Sequence, residues 1–248
     1  NAYAESDTYT VTIDNTGPTL AITTSDSSLI TGETSTITFT FSEDVSGFTN
    51  GDITLAVGGT LSSVTATSNQ VYTATYTPPT NTTGTETITV GTSTYSDVVL
   101  NDNTTTATIS FTVDTQSPTL STVSISSDNS NTSKAKIGDI VTLSFTSSEA
   151  IQSPTVTIDG NAATVSGSGT SWTATYTLVT GDTQGALGFT IDFDDTSGNS
   201  GAQVTAVTDS SSVTFDKTSS TVVSIVTDDI DDKVKDTDVV RVTTTFSE

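Results

Sequence analysis

The side chains in this sequence that could do chemistry are nearly all carboxylates: 29 Asp and Glu stand against six Lys and Arg, with no His and no Cys. That inventory excludes imidazole acid–base catalysis, thiol nucleophiles, disulfides and zinc held by nitrogen or sulfur. Ser and Thr hydroxyls are abundant, but no His is present to activate them and no G-x-S-x-G elbow occurs. Paired carboxylates can hydrolyse glycosides. A sugar cleft, however, needs aromatic platforms, and the single Trp, Trp172, aligns with Tyr72 on a repeated strand and reads as packing. The expectation is a protein that is not an enzyme. Carboxylates, Asn side chains and backbone carbonyls do suit one task, the ligation of a hard divalent cation. Ca2+ takes six to eight such oxygens with tolerant geometry, whereas Mg2+ demands a near-octahedral shell.

The formal charge of -23, with no basic residue before Lys134, repels nucleic acid and anionic membrane. No apolar run is long enough to span a bilayer, so direct membrane insertion is not expected. The acidic, Thr/Ser-rich make-up points to an extracellular, cell-surface or secreted protein, with any secretion signal upstream of Asn1.

These carboxylates must be positioned by strands. The chain holds 60 Thr and 36 Ser; Thr is stiff at χ1 and favours strands over helix interiors. Alternation of apolar and polar residues is widespread and a helical period is absent. Self-similarity organises the chain. Asp14-Asn-Thr-Gly-Pro18-Thr-Leu20 returns as Asp114-Thr-Gln-Ser-Pro118-Thr-Leu120, and Tyr72-Thr-Ala-Thr-Tyr76-Thr returns as Trp172-Thr-Ala-Thr-Tyr176-Thr. A third marker, Phe39-Thr-Phe41-Ser-Glu43, is echoed by Phe145-Thr-Ser-Ser-Glu149 and Thr244-Thr-Phe246-Ser-Glu248. The predicted modules are 18–114 and 118–216, with 1–14 as the last strand of a preceding module and 220–248 as the start of a further one. Short linkers holding Pro18 and Pro118 favour an extended rod.

Strands are predicted at 19–24, 35–42, 52–57, 60–66, 70–77, 85–91 and 104–113, and again at 119–126, 139–147, 153–158, 161–166, 171–178, 186–193 and 203–215. Ile37, Phe39 and Phe41, like Val141, Leu143 and Phe145, form the period-2 stripe of a half-buried strand. Seven short antiparallel strands in about 100 residues give an all-β chain of tandem seven-stranded Ig-like β-sandwiches in a linear array. The phrases SEDVSGFTNGDITL, AKIGDIVTLSFTSSEAI, TVTIDGNAATV, YTLVTGDTQGALGFTIDF and VTFDKT resemble the bacterial Ig-like repeats of very large secreted adhesins, and similar modules occur in surface-layer proteins.

If seven strands run alternately down and up, the loops after strands two, four and six gather at the pole where the chain comes in. In the first repeat that pole receives Asp14, Glu43, Asp44, Asp97 and Asp102; in the second it receives Asp114, Glu149, Asp194, Asp195 and Asn199. Carboxylates within about 4–6 Å of one another must either raise their pKa values or take up a cation. These ten residues are the candidate metal ligands, and Ca2+ the expected ion. The resemblance implies the same: related repeats carry calcium at module junctions, through an acid of the linker, the Glu ending strand two and the Asp of a D-x-x-G-N loop. Here Asp114, Glu149 and Asp195-Thr-Ser-Gly-Asn199 match, whereas the first repeat has Asn101-Asp102-Asn103 without the Gly. A further run, Asp228-Asp229-Ile230-Asp231-Asp232, belongs to the opposite pole and reads equally as an ion site or a solvated loop.

The predicted function is therefore a structural, calcium-stabilised stalk of a large cell-surface adhesin. A surface-layer lattice protein and a carbohydrate-binding module are the alternatives. Partners would be neighbouring modules of the same chain, or copies of the chain in a lattice, with any cell-surface or glycan target elsewhere in the parent protein. Sequons at Asn81, Asn103 and Asn131 would suit a glycosylated coat, although a Thr-rich chain produces them by chance. The first repeat has no Lys, which excludes an isopeptide cross-link there.

Overall fold

The computed structural model describes residues 9–228, 233–235 and 237–248 and is all-β. The strands are β1 (Leu20–Thr24), β2 (Ser28–Leu29), β3 (Ser35–Phe41), β4 (Val45–Ser46), β5 (Ile53–Leu55), β6 (Thr60–Leu61), β7 (Thr65–Ala66), β8 (Val71–Thr77), β9 (Thr83–Val90), β10 (Ser96–Asp97) and β11 (Ala107–Asp114). They continue with β12 (Leu120–Ser127), β13 (Lys134–Ala135), β14 (Ile140–Ser147), β15 (Ile151–Ile158), β16 (Asn161–Ala162), β17 (Thr164–Ser168), β18 (Ser171–Thr177), β19 (Gly185–Ala186), β20 (Phe189–Asp195), β21 (Thr214–Phe215), β22 (Val222–Thr227) and β23 (Val242–Phe246). No helix among the described residues is long and apolar enough to cross a membrane. Two compact units divide the chain. One comprises Asn1–Thr119, Ser147–Pro154 and Asp192–Ala202, the other Leu120–Thr146, Thr155–Ile191 and Gln203–Glu248.

In the first unit, β1, β3, β8 and β6 form one sheet in that order and β2, β11, β9 and β5 another, with β2 parallel to β11. Alternation on β3 turns Ile37, Phe39 and Phe41 inward, none more than 3% exposed, and leaves Thr36 and Thr40 in solvent. Ile88, Val90, Phe111 and Val113 of the other sheet share this core, as the facing layers of an Ig-like sandwich do. Phe41, Phe48, Tyr72 and Tyr95 meet edge to face, with centroids 4.8 to 6.0 Å apart, the arrangement that ring quadrupoles favour.

This core also contains a charge-bearing side chain. Glu86 is fully buried. Its Oε2 accepts from the Tyr76 hydroxyl at 2.7 Å, and its Oε1 accepts from the amides of Ala56 at 2.6 Å and Thr87 at 2.9 Å. Burial, then the hydrogen bond and charge of Glu86, push the Tyr76 phenol well above its ordinary value. The corresponding Tyr176 donates instead to Asp182 at 2.9 Å, which also accepts from Asn161 Nδ2 at 3.1 Å and the Val179 amide at 2.7 Å.

In the second unit, β12, β14, β18 and β17 form one sheet; β13, β21 and β19, and β16, β15 and β20, form two smaller ones. Val141, Leu143 and Phe145 are at most 2% exposed. The predicted strand at 161–166 is two: Asn161–Ala162 pairs with β15, whereas Thr164–Ser168 pairs with β18. Asp159 and Gly160, at φ 50° and 78°, make the tight turn before it, as a two-residue hairpin loop requires. The predicted strand at 203–215 shrinks to Thr214–Phe215 and a bridge at Val204. Its middle offers hydroxyls in place of carbonyls: the amides of Val123 and Ile125 donate to Thr208 Oγ1 and Ser211 Oγ, each at 2.9 Å. Side-chain acceptors compete with the backbone ladder in this way. Trp172 is partly buried opposite Phe145 and donates from Nε1 to the Gly169 carbonyl at 3.0 Å.

At the two chain ends the strand expectation meets its physical limit. Residues 1–8 lie outside the described residues, and Tyr9, Val11 and Ile13 are 90%, 80% and 79% exposed without a ladder. A strand needs an edge to pair with, and none of the described residues supplies one. β22 and β23 pair with each other, yet Val222, Val223, Ile225 and Phe246 remain more than half exposed, because a two-stranded ribbon has nothing to cover its faces.

The buried Glu86 network generates a test. Glu86→Ala removes a buried acceptor shared by the amides of Ala56, Val57 and Thr87 and the Tyr76 hydroxyl, and a loss of about 2–4 kcal/mol in urea unfolding is expected. A loss below about 0.5 kcal/mol, the level of an ordinary surface substitution, would contradict it.

Candidate cation sites

Two sets of three carboxylates converge, and all six residues belong to the first unit. Asp14, Glu43 and Asp97 form one; Asp114, Glu149 and Asp195 form the other. Within each set, one oxygen per residue lies within 4.8 Å of the others.

The same local construction builds both. Each Glu follows a Ser that is stitched to the start of the first strand of its repeat. The Thr19 amide donates to Ser42 Oγ and the Ser42 amide to the Thr19 carbonyl, both at 3.0 Å. The Thr119 amide likewise donates to Ser148 Oγ at 3.0 Å, and the Ser148 amide to the Thr119 carbonyl at 2.8 Å. Each linker acid closes an Asx turn: Asp14 Oδ1 accepts from the Thr16 amide at 3.0 Å and Asp114 Oδ1 from the Gln116 amide at 3.3 Å. Such turns are the short-range preference of Asp.

The late-loop acids sit deepest. Asp97 and Asp195 are 0% and 1% exposed. Asp97 Oδ1 accepts from the amides of Val99 at 2.9 Å and Asn101 at 2.8 Å; Asp195 Oδ1 accepts from Ser197 at 2.8 Å, Gly198 at 2.6 Å and Asn199 at 2.8 Å. An Asn then ties each loop to its linker. Asn101 Nδ2 donates to Asp97 Oδ2 at 2.8 Å and to the Asp14 carbonyl at 3.0 Å. Asn199 Nδ2 donates to Asp195 Oδ2 at 2.8 Å and to the Asp114 carbonyl at 3.0 Å. Asn101 was not among the sequence candidates. Its signal was the Asp-x-x-x-Asn spacing shared by 97–101 and 195–199, hidden because Leu100 stands where the later loop has Gly198. Both positions have positive φ, 70° at Leu100 and 108° at Gly198.

Four of the ten candidates lie outside the two sets. Asp44 accepts from Asn69 Nδ2 at 3.0 Å and Gln70 Nε2 at 3.1 Å. Asp102 is used through its backbone: it bridges Ser96, and a Cβ on Gly17 would come within 2.0 Å of its carbonyl oxygen. Asp194 bridges Ser200 and is exposed. Asn199 positions the second set rather than adding a carboxylate. In the Asp228 run, residues 229–232 lie outside the described residues, and Asp228 Oδ1 accepts from the Arg241 amide at 2.8 Å.

The electrostatics of both sets are unrelieved. Glu149 is pushed up by burial, then by Asp195 and Asp114; Glu43 is pushed up by burial, then by Asp14 and Asp97. For Asp97, burial acts upward but is outweighed by the hydrogen bonds of Asn101, Val99 and Leu100, so its carboxyl is held below the usual range. Glu149 Oε1 is buried and accepts no hydrogen bond among the described residues. Buried polar atoms are nearly always satisfied, and an exception calls for an ion, a water or a proton. The donor set, three carboxylates with amide and carbonyl oxygens nearby, fits Ca2+.

A β-sandwich core with acid-lined loops defines a domain of the Ig-like class. Residues 14–113 match the family described as Bacterial Ig-like domain. No curated protein matches the chain in sequence. Among solved structures, an I-band fragment from titin is 15% identical with a TM-score of 0.47, over 81% of this chain and 66% of that one. Titin Ig tandem domains give 11% and 0.29 over 82% and 98%, and a plexin extracellular region 9% and 0.26 over 82% and 18%. The chain thus spans just under two thirds of the first titin fragment.

The pKa directions fix a pH dependence. Without a cation, the folded state holds protons on Glu43 and Glu149 above their ordinary 4.5, so stability falls as pH rises through the window between that value and the raised one. Asp97 works the other way, its contribution being lost as pH falls below 3.8. Urea midpoints measured in chelator should therefore decline from 4.5 toward neutrality; a profile that rises over that span would contradict the assignment.

Proposed function

We propose that this chain is a stretch of stalk from a large extracellular adhesin, built of tandem seven-stranded Ig-like modules and stabilised by Ca2+ where successive modules join. In this reading 18–114 and 118–216 are modules, 1–14 closes an earlier one and 220–248 opens another. Glu149 carries the argument. Its Oε1 is buried without a partner beside Asp114 and Asp195, and no basic side chain is among the causes that shift it. A divalent cation is the neutralising group this donor set fits. Asp114, Glu149 and Asp195 would hold one ion and Asp14, Glu43 and Asp97 another, and the bound ion would replace mutual repulsion with common ligation. Because linker and loops all contribute ligands, ligation would stiffen the chain as well as stabilise it.

Calcium at about 100 times its Kd would add about 2.7 kcal/mol. The Tm should rise by several degrees, fall on chelation, and respond less in Glu149→Gln, which keeps the side chain's shape. Melting and small-angle scattering curves that coincide with and without chelator would sink the proposal.

One feature favours a carbohydrate-binding reading: a shallow groove of about 350 Å3 in the second unit, lined by Trp172 with Thr122, Ser124, Ser144, Thr146 and Ser166. On a glycan array the stalk reading expects no specific hit. A hit abolished by Trp172→Ala would favour the binding module instead.

A further inference from the structure

We infer that the loop tip Val98-Val99-Leu100 is a docking surface for the end of a preceding Ig-like module of this same kind. The inference rests on the tandem-module reading above and adds to it the chemistry of one contact. Loop 97–101 and loop 195–199 share the bonds from the i+2 and i+4 amides and the Asn side chain to the Asp carboxylate, and the later copy shows what the tip rests against. Ser197 Oγ donates to Asp114 Oδ2 at 2.7 Å, the Thr31 amide donates to Asn199 Oδ1 at 2.9 Å, and the Cβ position of Gly198 lies 3.7 Å from Ile30 Cδ1. All of these residues fall in the first compact unit. The tip of the later loop is thus seated on the end of the preceding repeat, beside its linker.

In the earlier copy the linker arrives in the same place, through the bond from Asn101 Nδ2 to the Asp14 carbonyl. Its tip differs in chemistry. Val98, Val99 and Leu100 are 72%, 57% and 77% exposed, and Leu100 is held at φ 70°, a left-handed conformation that a non-glycine residue rarely adopts. Single exposed apolar residues need no explanation, but a contiguous apolar tip marks a contact surface. The segment leading into Asp14 says what covers it. Tyr9, Val11 and Ile13 precede Asp14 by five, three and one residues, as Ile109, Phe111 and Val113 precede Asp114. Phe111 and Val113 are core residues of β11, at 3% and 1% exposure, whereas Tyr9, Val11 and Ile13 are at least 79% exposed. The end of one sandwich would cover both the exposed apolar side chains of this segment and the apolar loop tip to which Asp14 is tied. Its residue at the Ile30 position would meet Val98 to Leu100 through apolar contact, where the later junction uses a serine hydroxyl.

The test joins residues 18–108 ahead of Tyr9, in place of residues 1–8, so that Tyr9–Asp14 take the part of β11's last six residues. Amide hydrogen exchange at 98–101 should slow about ten-fold or more relative to the parent chain. Leu100→Asn should abolish that protection in the fusion, yet leave the Tm of the parent unchanged or raised, since Asn tolerates positive φ. Equal exchange at 98–101 in fusion and parent overturns the inference. A second fusion, with residues 18–113 placed directly ahead of Asp14, supplies a complete final strand and keeps the comparison readable should the first not fold. Loss of the calcium-dependent Tm rise in the parent would instead strike the stalk reading, so the two failures are separable.

Discussion

A carboxylate that is buried beside two others, in a chain with almost no bases, is the constraint around which both acid clusters are arranged. Turning Glu149 outward would relieve it; without a cation, a proton retained above the ordinary carboxyl range relieves it in part. The hydrogen bonds of the neighbouring loop hold Asp195 in place, and the Ser148 stitch holds the Glu close to it. The backbone thus preserves the repulsion that a cation would remove. Carboxylates already held in place would lower the ordering cost of binding a cation.

The surrounding structure is equally dependent on hydroxyls. Thr and Ser supply the outward face of the strands, stitch strand ends, and in Thr208 and Ser211 accept from the amides of Val123 and Ile125 where carbonyls would otherwise do so. With small side chains on one face, the core must be made by few residues. β3 and β14 show how: each buries three apolar side chains almost completely. Stability is thereby concentrated in two narrow layers, and the loops at the ends are left free to carry acids.

The buried stripes were legible because a period of two leaves no other face for Ile37, Phe39 and Phe41. The acids were legible as a group, since strand parity carries whole loops to one end. Parity does not aim side chains. Asp44 turned to Asn69 and Gln70, and Asp102 and Asp194 took part through the backbone, for reasons that depend on local turns. Asn101 escaped notice because Leu100 masks a loop that normally advertises itself with Gly; positive φ is forced there by hydrogen bonds that the sequence does not display. The strand expected at 203–215 was shortened for a related reason, as alternation cannot tell a fully paired backbone from one bonded partly through its hydroxyls.

The tyrosine and carboxylate pairs, Tyr76 with Glu86 and Tyr176 with Asp182, bear on how such arrays change over time. The two repeats are identical over Thr73-Ala74-Thr75-Tyr76-Thr77 and Thr173-Ala174-Thr175-Tyr176-Thr177, a natural place for one gene segment to recombine with another. In both repeats the partner carboxylate lies downstream of that shared segment, though at different positions. A crossover there hands each hybrid one tyrosine and one carboxylate, so pieces can be exchanged without leaving a buried hydroxyl unmatched.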